Sequence, residues 1–431
     1  MSDQSKSKRG FVVKGLTGAA LLLLVAIYFV PIWWVSLTAP QYPPEAFPDG
    51  VRIMFGMNGV FNGCKLQGKA EIEEDEALDC VHEMDAINHF VGMYPIASGG
   101  VLEKAFSPFL LSMLGVMLIG FMIFNPKRRM LVMSIGFFAI TVWMAMTFFM
   151  NGGLRYQSAG YLSALVTALG QGHEEAGEDI SPIIAKLRES LQTSGESSES
   201  SRADVMASVE RSGQKGLKEA LDKLHKGTKA EKGKTLKEIL AEAKSRKLGG
   251  KQQSILILKQ IFESDQERQP QDKRQEWKGN NWQLLFWHYS KNLGRWFNNQ
   301  AEIVPLVKIM TTAGYLLFGG MIAGMIFMVY AGHSNRSIFY WVLVLVPILL
   351  PVFFIVEYAS WLWWYGHSMN AMGAFSLKPF MPTVFGQGKV AQFATHSYPS
   401  TGFGLIMIFS FLLALAALIR RKQLKEEGDV A

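Results

Sequence analysis

The chain reads as an all-α polytopic membrane protein: about six transmembrane helices, both termini cytoplasmic, and a polar helical extracytoplasmic insertion. Three observations predict this. Of its 431 residues 49% are hydrophobic and only 18% charged, below the roughly 25% charge of average soluble domains. The apolar residues gather into runs of about 20, the length that crosses roughly 30 Å of hydrocarbon. Basic residues flank those runs in a pattern that assigns every loop to one side.

The first run, about residues 16–37, contains Leu21–Val30 and closes on Trp33-Trp34, with Lys6, Lys8, Arg9 and Lys14 before it. It is longer than a cleaved signal core and ends in an aromatic belt, which reads as a retained anchor. The second run covers about 107–125 and leads into Lys127-Arg128-Arg129; the third, about 130–150, turns back from it. The fourth and fifth, about 309–331 and 337–359, are joined by a short link holding Arg336. The last, about 402–419, precedes Arg420, Arg421, Lys422 and Lys425. Positive-inside counting places the N-terminus, the 126–129 loop, the 332–336 link and the C-terminus in the cytoplasm. Segments 38–106, 151–305 and 360–401 then lie outside.

The domain plan follows: a tail and anchor (1–37), a first outer loop (38–106), a hairpin (107–150), an insertion (151–305), a second hairpin (306–359), a last outer loop (360–401) and a final span with a basic tail (402–431). Within the insertion, Ser194–Ser201 is a polar linker, and Ile180–Leu191 and Gly216–Leu248 carry a thin apolar stripe at helical spacing. Trp277, Trp282, Trp287 and Trp296, with Phe286, Tyr289 and Phe297, suit an interfacial helix. The net charge of +7 belongs to these membrane flanks, and no basic motif interleaved with aromatics points to nucleic acid. The expected partners are the lipid bilayer and a membrane or periplasmic protein.

Cys64 and Cys80, the two cysteines, fall in the first outer loop around the acidic stretch Glu71–Glu76. On an oxidising face such a pair forms a disulfide, contributing about 3 kcal/mol through the restricted unfolded chain. Fifteen intervening residues fit no compact thiolate metal motif, and the absence of Cys-x-x-Cys-His argues against c-type haem.

Eight histidines are distributed as His82 and His89 in the first outer loop, His173, His225 and His288 in the insertion, His333 in the inner link, and His367 and His396 in the last outer loop. His89 and Met93 are four apart and share a face if helical. Imidazole with thioether suits Cu(I), since soft ligands select that ion. His367, Met369, Met372, Met381 and His396 offer a second set. Weighed against this, Met is common filler in spans, and a His at a membrane edge often bonds only a carbonyl. Glu357, the acid inside span five, is a functional candidate by its depth, or snorkels to water. Without other intramembrane charges or broken half-helices, a transporter is poorly supported. No P-loop, G-x-G-x-x-G after a strand, G-x-S-x-G or H-E-x-x-H is present, and the sequence is silent on catalysis.

At these residues the chain resembles the bacterial membrane proteins encoded beside nitrous-oxide reductase and its membrane-anchored copper chaperone. The likeness rests on Ala39-Pro40-Gln41-Tyr42-Pro43 after the anchor, on Asn88-His89-Phe90-Val91-Gly92-Met93, and on Glu357 placed before Tyr365-Gly366-His367. Pro382, Gly386, Phe393, Tyr398-Pro399-Ser400 and Gly402 extend it. It covers about residues 20–106 and 350–420. Members of that family are shorter, have fewer spans, and hold no counterpart to 151–305. The resemblance implies a bacterial inner membrane and a setting of copper-enzyme maturation or respiration on its outer face.

The expected function is therefore an accessory protein that handles copper or helps assemble a copper-dependent respiratory enzyme. His89, Met93 and His367 are the expected ligands, Glu357 and His396 support them, and Asn88 and Gly92 shape the loop. The alternatives are a scaffolding subunit of a membrane enzyme complex and a redox subunit with non-covalent haem between histidines, the less favoured cofactor.

Overall fold

A computed structural model describes residues 3–44, 47–64, 79–96, 100–170, 250–335, 337–374, 377–390 and 392–428. Arg336, Glu71–Glu76, His173, His225, and the segments 180–191, 194–201 and 216–248 lie outside the described residues. One compact unit comprises Met1–Ala168 with Lys278–Ala431, and a second comprises Leu169–Trp277.

The first unit is mostly helical. In chain order it holds α1 (Asp3–Phe29), α2 (Cys80–Phe90), α3 (Val101–Met122), α4 (Pro126–Phe149) and α5 (Ala159–Gly170, which crosses the unit boundary at its last residues). The second unit contributes α6 (Gly250–Glu267). The first resumes with α7 (Asn281–Trp296), α8 (Gln300–Ala331), α9 (Val342–Ile348), α10 (Leu350–His367) and α11 (Thr401–Gly428). Among the described residues five helices, α1, α3, α4, α8 and α11, are long and apolar enough to cross a membrane, and α9 with α10 makes a sixth if the bent pair is one span. The multi-pass bundle expected from the sequence is present.

The all-α expectation needs correction. Among the described residues five strands, β1 (Trp33–Thr38), β2 (Val51–Gly56), β3 (Gly59–Asn62), β4 (Gly386–Val390) and β5 (Phe393–Pro399), form one antiparallel sheet in the order β3-β2-β1-β5-β4. The first span accordingly ends at Phe29 rather than near residue 37. Pro31 has no backbone N–H and cannot continue a helix, and Trp33, Trp34 and Val35 are residues that favour a pleated, half-buried surface. Spans two and four start earlier than their apolar cores, at Val101 and Gln300. The fifth bends by 59°. Pro347 sits inside α9, and Pro351 occupies the first turn of α10, where a proline costs nothing.

The sheet ties the ends of the chain together. β1 is central, pairing Val35 with Ile53 on one side and Ser397 on the other. The Gly402 N–H donates to Pro31 O (2.9 Å) and Ser400 N–H to Ile32 O (2.9 Å). α1 and α11 pack along one another, and at the far end Arg9 pairs with Glu426 at 2.6 Å. Both ends of the described chain thus lie opposite the sheet. Under the sheet, Trp33, Val35, Val51, Ile53, Val81, Met84, Tyr358 and Leu362 form a buried core shared with α2 and α10, each large apolar side chain contributing about 1.5–3 kcal/mol. Trp33 Nε1 donates to Ser397 Oγ (2.8 Å), which donates in turn to Val384 O (2.8 Å). Cys64 and Cys80 are disulfide-bonded with Cα atoms 6.0 Å apart, fastening β3 to the start of α2.

α7 is capped by Asn280, which accepts from Gln283 N–H at 2.9 Å. Its aromatic residues pack on the bundle: Trp282 lies 5.4 Å from Phe149 and 4.2 Å from Tyr315 between ring centroids. In the second unit, α6 buries Ile257, Leu258, Ile261 and Phe262, with Phe262 5.2 Å from Trp277.

Candidate functional site

At the sheet-bearing end, the two segments singled out by the sequence meet. Asp79 caps α2 by accepting from Val81 N–H (3.1 Å) and His82 N–H (3.2 Å). The helix then closes with Gly92 at φ +82°. Gly92 N–H donates to His89 O (3.0 Å) and Met93 N–H to Asn88 O (2.8 Å), a glycine-terminated cap that satisfies the last carbonyls. Gly92 is also a point of close approach: Asn370 N–H donates to Gly92 O (2.7 Å), and a Cβ at Gly92 would stand 2.6 Å from Asn370 O. Asn88–Met93 and the turn after His367 therefore interlock through main chain.

Beside this junction lies a polar knot. Tyr94 Oη donates to Glu302 Oε2 (2.9 Å), and Asn370 Nδ2 donates to the same oxygen (2.5 Å) and to Tyr94 Oη (3.3 Å). Burial, reinforced by the Glu302 carboxylate, pushes the Tyr94 hydroxyl up to about 12. Glu302 and Asn370 were not singled out in the sequence. A carboxylate and an amide some seventy residues apart give no local signal.

The expected ligands fall into different surroundings. Met93 is 4% exposed. His89 is half-buried among Trp296 (5.6 Å), Phe297 (4.9 Å) and Phe90 (6.1 Å) between ring centroids. Asn88 is buried on the inner face of α2. His367 is exposed at the end of α10, its ring stacked on Trp363 at 4.5 Å. Its Nδ1–H donates to Trp363 O (2.8 Å), so in the neutral ring Nε2 carries the lone pair. In the same loop Met372 is 57% and Met381 46% exposed, and Met369 is half-buried. His396 sits in β5 opposite Ser36 and Gln387, half-buried within the sheet. Among the described residues no three His, Cys, Asp or Glu side chains gather as metal ligands.

Glu357 has an acidic neighbour that span counting missed. A Cβ at Gly100 would lie 3.8 Å from Glu103 Oε2 and 3.9 Å from Glu357 Oε1, and Trp361 Nε1 donates to Glu103 Oε1 (3.4 Å). Glu103 was placed in a loop because the apolar core begins near residue 107, whereas α3 begins at Val101. The Gly99-Gly100 pair before an acidic first turn is the signal that could have located this start.

Two further histidines are held by neighbours. His82 Nδ1 accepts from Arg295 Nη2 (3.1 Å), and its ring lies 5.7 Å from Trp296. His288 is buried, and its Nε2–H donates to Leu165 O (3.1 Å). Burial, with the positive charge of Lys104, lowers its pKa to about 3 and keeps it neutral.

Comparison of the chain with family models, with curated proteins and with solved structures found no match.

Proposed function

We propose that this chain is a multi-pass accessory protein of a bacterial inner membrane that handles copper, as cargo, for a copper-dependent respiratory enzyme on the outer face. The observation that carries the reading is His367. Its carbonyl bond at Nδ1 fixes the tautomer and turns Nε2 into an available donor, and exposed Met372 and Met381 belong to the same loop. Imidazole and thioether are the soft pair that Cu(I) selects. Charge and redox chemistry support the orientation. Exposed Lys127, Arg128, Arg421 and Lys422 stand at the end opposite the sheet, which suits the cytoplasmic side. The Cys64–Cys80 disulfide at the sheet end suits an oxidising compartment.

Under this reading His367 with Met369, Met372 and Met381 takes the ion. His89 and Met93, packed among aromatics and buried, hold the loop in place. The scaffolding alternative draws on the same packing, because the Gly92–Asn370 interlock is architecture that needs no metal.

The test is anaerobic Cu(I) titration of the full chain in detergent against a chromogenic chelator. His367→Ala and Met372→Leu/Met381→Leu should each weaken competition by about tenfold, the weight of roughly 1.4 kcal/mol. His89→Gln should leave it unchanged. Wild-type protein that fails to compete, or a His367→Ala variant equal to it, would refute copper handling and leave the scaffold.

A further inference from the structure

The end of the bundle opposite the sheet contains two arginines that the proposed function does not use. Arg129, in the first turn of α4, is 0% exposed, and Arg420, in α11, is 1% exposed. Burying a charge at membrane depth is costly unless something compensates it. Arg129 donates from Nε to Gly332 O (2.7 Å) and from Nη1 to Asn335 Oδ1 (2.6 Å) and Ile123 O (3.3 Å). All three acceptors are neutral. Its Nη2 is buried without a hydrogen-bond partner, as is Nε of Arg420. No carboxylate pairs with either guanidinium among the described residues; the ion pair at this end joins Arg9 to Glu426.

The two cations belong to one cluster. Arg420 lies over the Phe124 ring at 3.9 Å, in the turn whose Ile123 carbonyl binds Arg129. Arg129 lies over Tyr340 at 4.6 Å and is repelled by Arg420. Lys14 Nζ is 5.3 Å from the centroid of the same Phe124 ring and is exposed. The rings take up the guanidinium faces, which leaves Arg129 Nη2 and Arg420 Nε as the donors without a partner. Neutral oxygens satisfy donors but leave two like charges uncompensated. An oxyanion reached by Arg129 Nη2 and Arg420 Nε satisfies donors and charge together, and such charge-assisted bonds are about twice as strong as neutral ones.

We infer that Arg129, Arg420 and Lys14 form a binding site for a phosphate-class anion at this membrane border. Basic pockets between spanning helices take acidic lipid headgroups in this way, and exposed Lys127, Arg128, Arg421 and Lys422 on the surrounding helix ends attract such an anion. The sources of that chemistry are a lipid phosphodiester and free inorganic phosphate.

The experiment uses the full chain in neutral detergent. Thermal unfolding is followed after adding phosphatidylglycerol, phosphatidylcholine or inorganic phosphate, and phosphorus retained after purification is assayed. Phosphatidylglycerol should raise the midpoint and bind at least about tenfold tighter than phosphatidylcholine. A rise with inorganic phosphate alone would assign the site to a soluble anion. Arg420→Gln, which removes the guanidinium whose buried Nε has no hydrogen-bond partner among the described residues, should abolish the difference; Lys14→Gln, at an exposed side chain, should weaken it. Midpoints indifferent to every anion, with no retained phosphorus, would overturn the site. So would an anion effect that persists unchanged in Arg420→Gln.

Discussion

His288 gives the bundle a defined response to acid. It is 6% exposed, donates to Leu165 O across α5 and α7, and has a pKa lowered from 6.5 to about 3, chiefly by burial and then by Lys104. Above pH 6.5 the imidazole is neutral in folded and unfolded chains alike, and it contributes no pH dependence. As pH falls from 6.5 toward 3, only the unfolded chain takes up the proton, and stability drops by about 1.4 kcal/mol per pH unit. Between pH 6.5 and 5 the loss is about 2 kcal/mol. His288→Gln keeps an N–H that can reach Leu165 O and removes the titration. Denaturation midpoints of the detergent-solubilised chain, read by tryptophan fluorescence at pH 7.5 and 5, separate the two proteins. The wild type should lose about 2 kcal/mol more than His288→Gln on acidification, because the substitution removes this one linked proton uptake. Equal losses would show that His288 is protonated in the folded protein, and the burial argument would fail.

Gly92→Ala places a side chain at φ +82° and 2.6 Å from Asn370 O. The left-handed backbone alone costs about 1–2 kcal/mol, so the thermal midpoint should fall by several degrees, and an unchanged midpoint would contradict the interlock. Cys64→Ser/Cys80→Ser opens a bridge spanning 16 positions. It should cost about 3 kcal/mol, measured as a lower denaturation midpoint under non-reducing conditions and not seen when both proteins are reduced.

What could be read from the sequence was local. The run Leu21–Val30, its basic flank and the later apolar runs announce spanning helices through composition alone. The disulfide followed from topology. The sheet did not follow, because its two hairpins, β2–β3 and β4–β5, are joined only through β1, whose Trp33 pairs with Pro399 and Phe55, and Gly386-Gln387-Gly388-Lys389-Val390 has little intrinsic strand preference. Trp33-Trp34 was equally consistent with an aromatic belt until Pro31 ended the helix. At the candidate site, the glycine cap after α2 is a local feature, while its contact with Asn370 is not. Glu103 was hidden by a hydropathy core that starts later than the helix around it.

The sheet determines how firmly His367 is presented. β1 follows α1 after the short turn through Pro31, and β5 runs into α11 across Ser400, so the sheet cannot rotate without moving the first and last spans. Tyr358 anchors α10 to that sheet through Ser397 (3.3 Å), which also accepts from Trp33 Nε1. From Tyr358 the helix runs on without a break for nine residues to His367, and Asn370 then locks to Gly92. An imidazole held at the end of an anchored helix, with its tautomer fixed by Trp363 O, is presented in one orientation rather than sampled by a mobile loop. Sites built on rigid elements hold ligands more accurately than loop sites. Under the copper proposal, Ser397→Ala should weaken Cu(I) affinity at His367 although Ser397 touches no ion, and this dependence separates a prearranged site from incidental surface histidine binding.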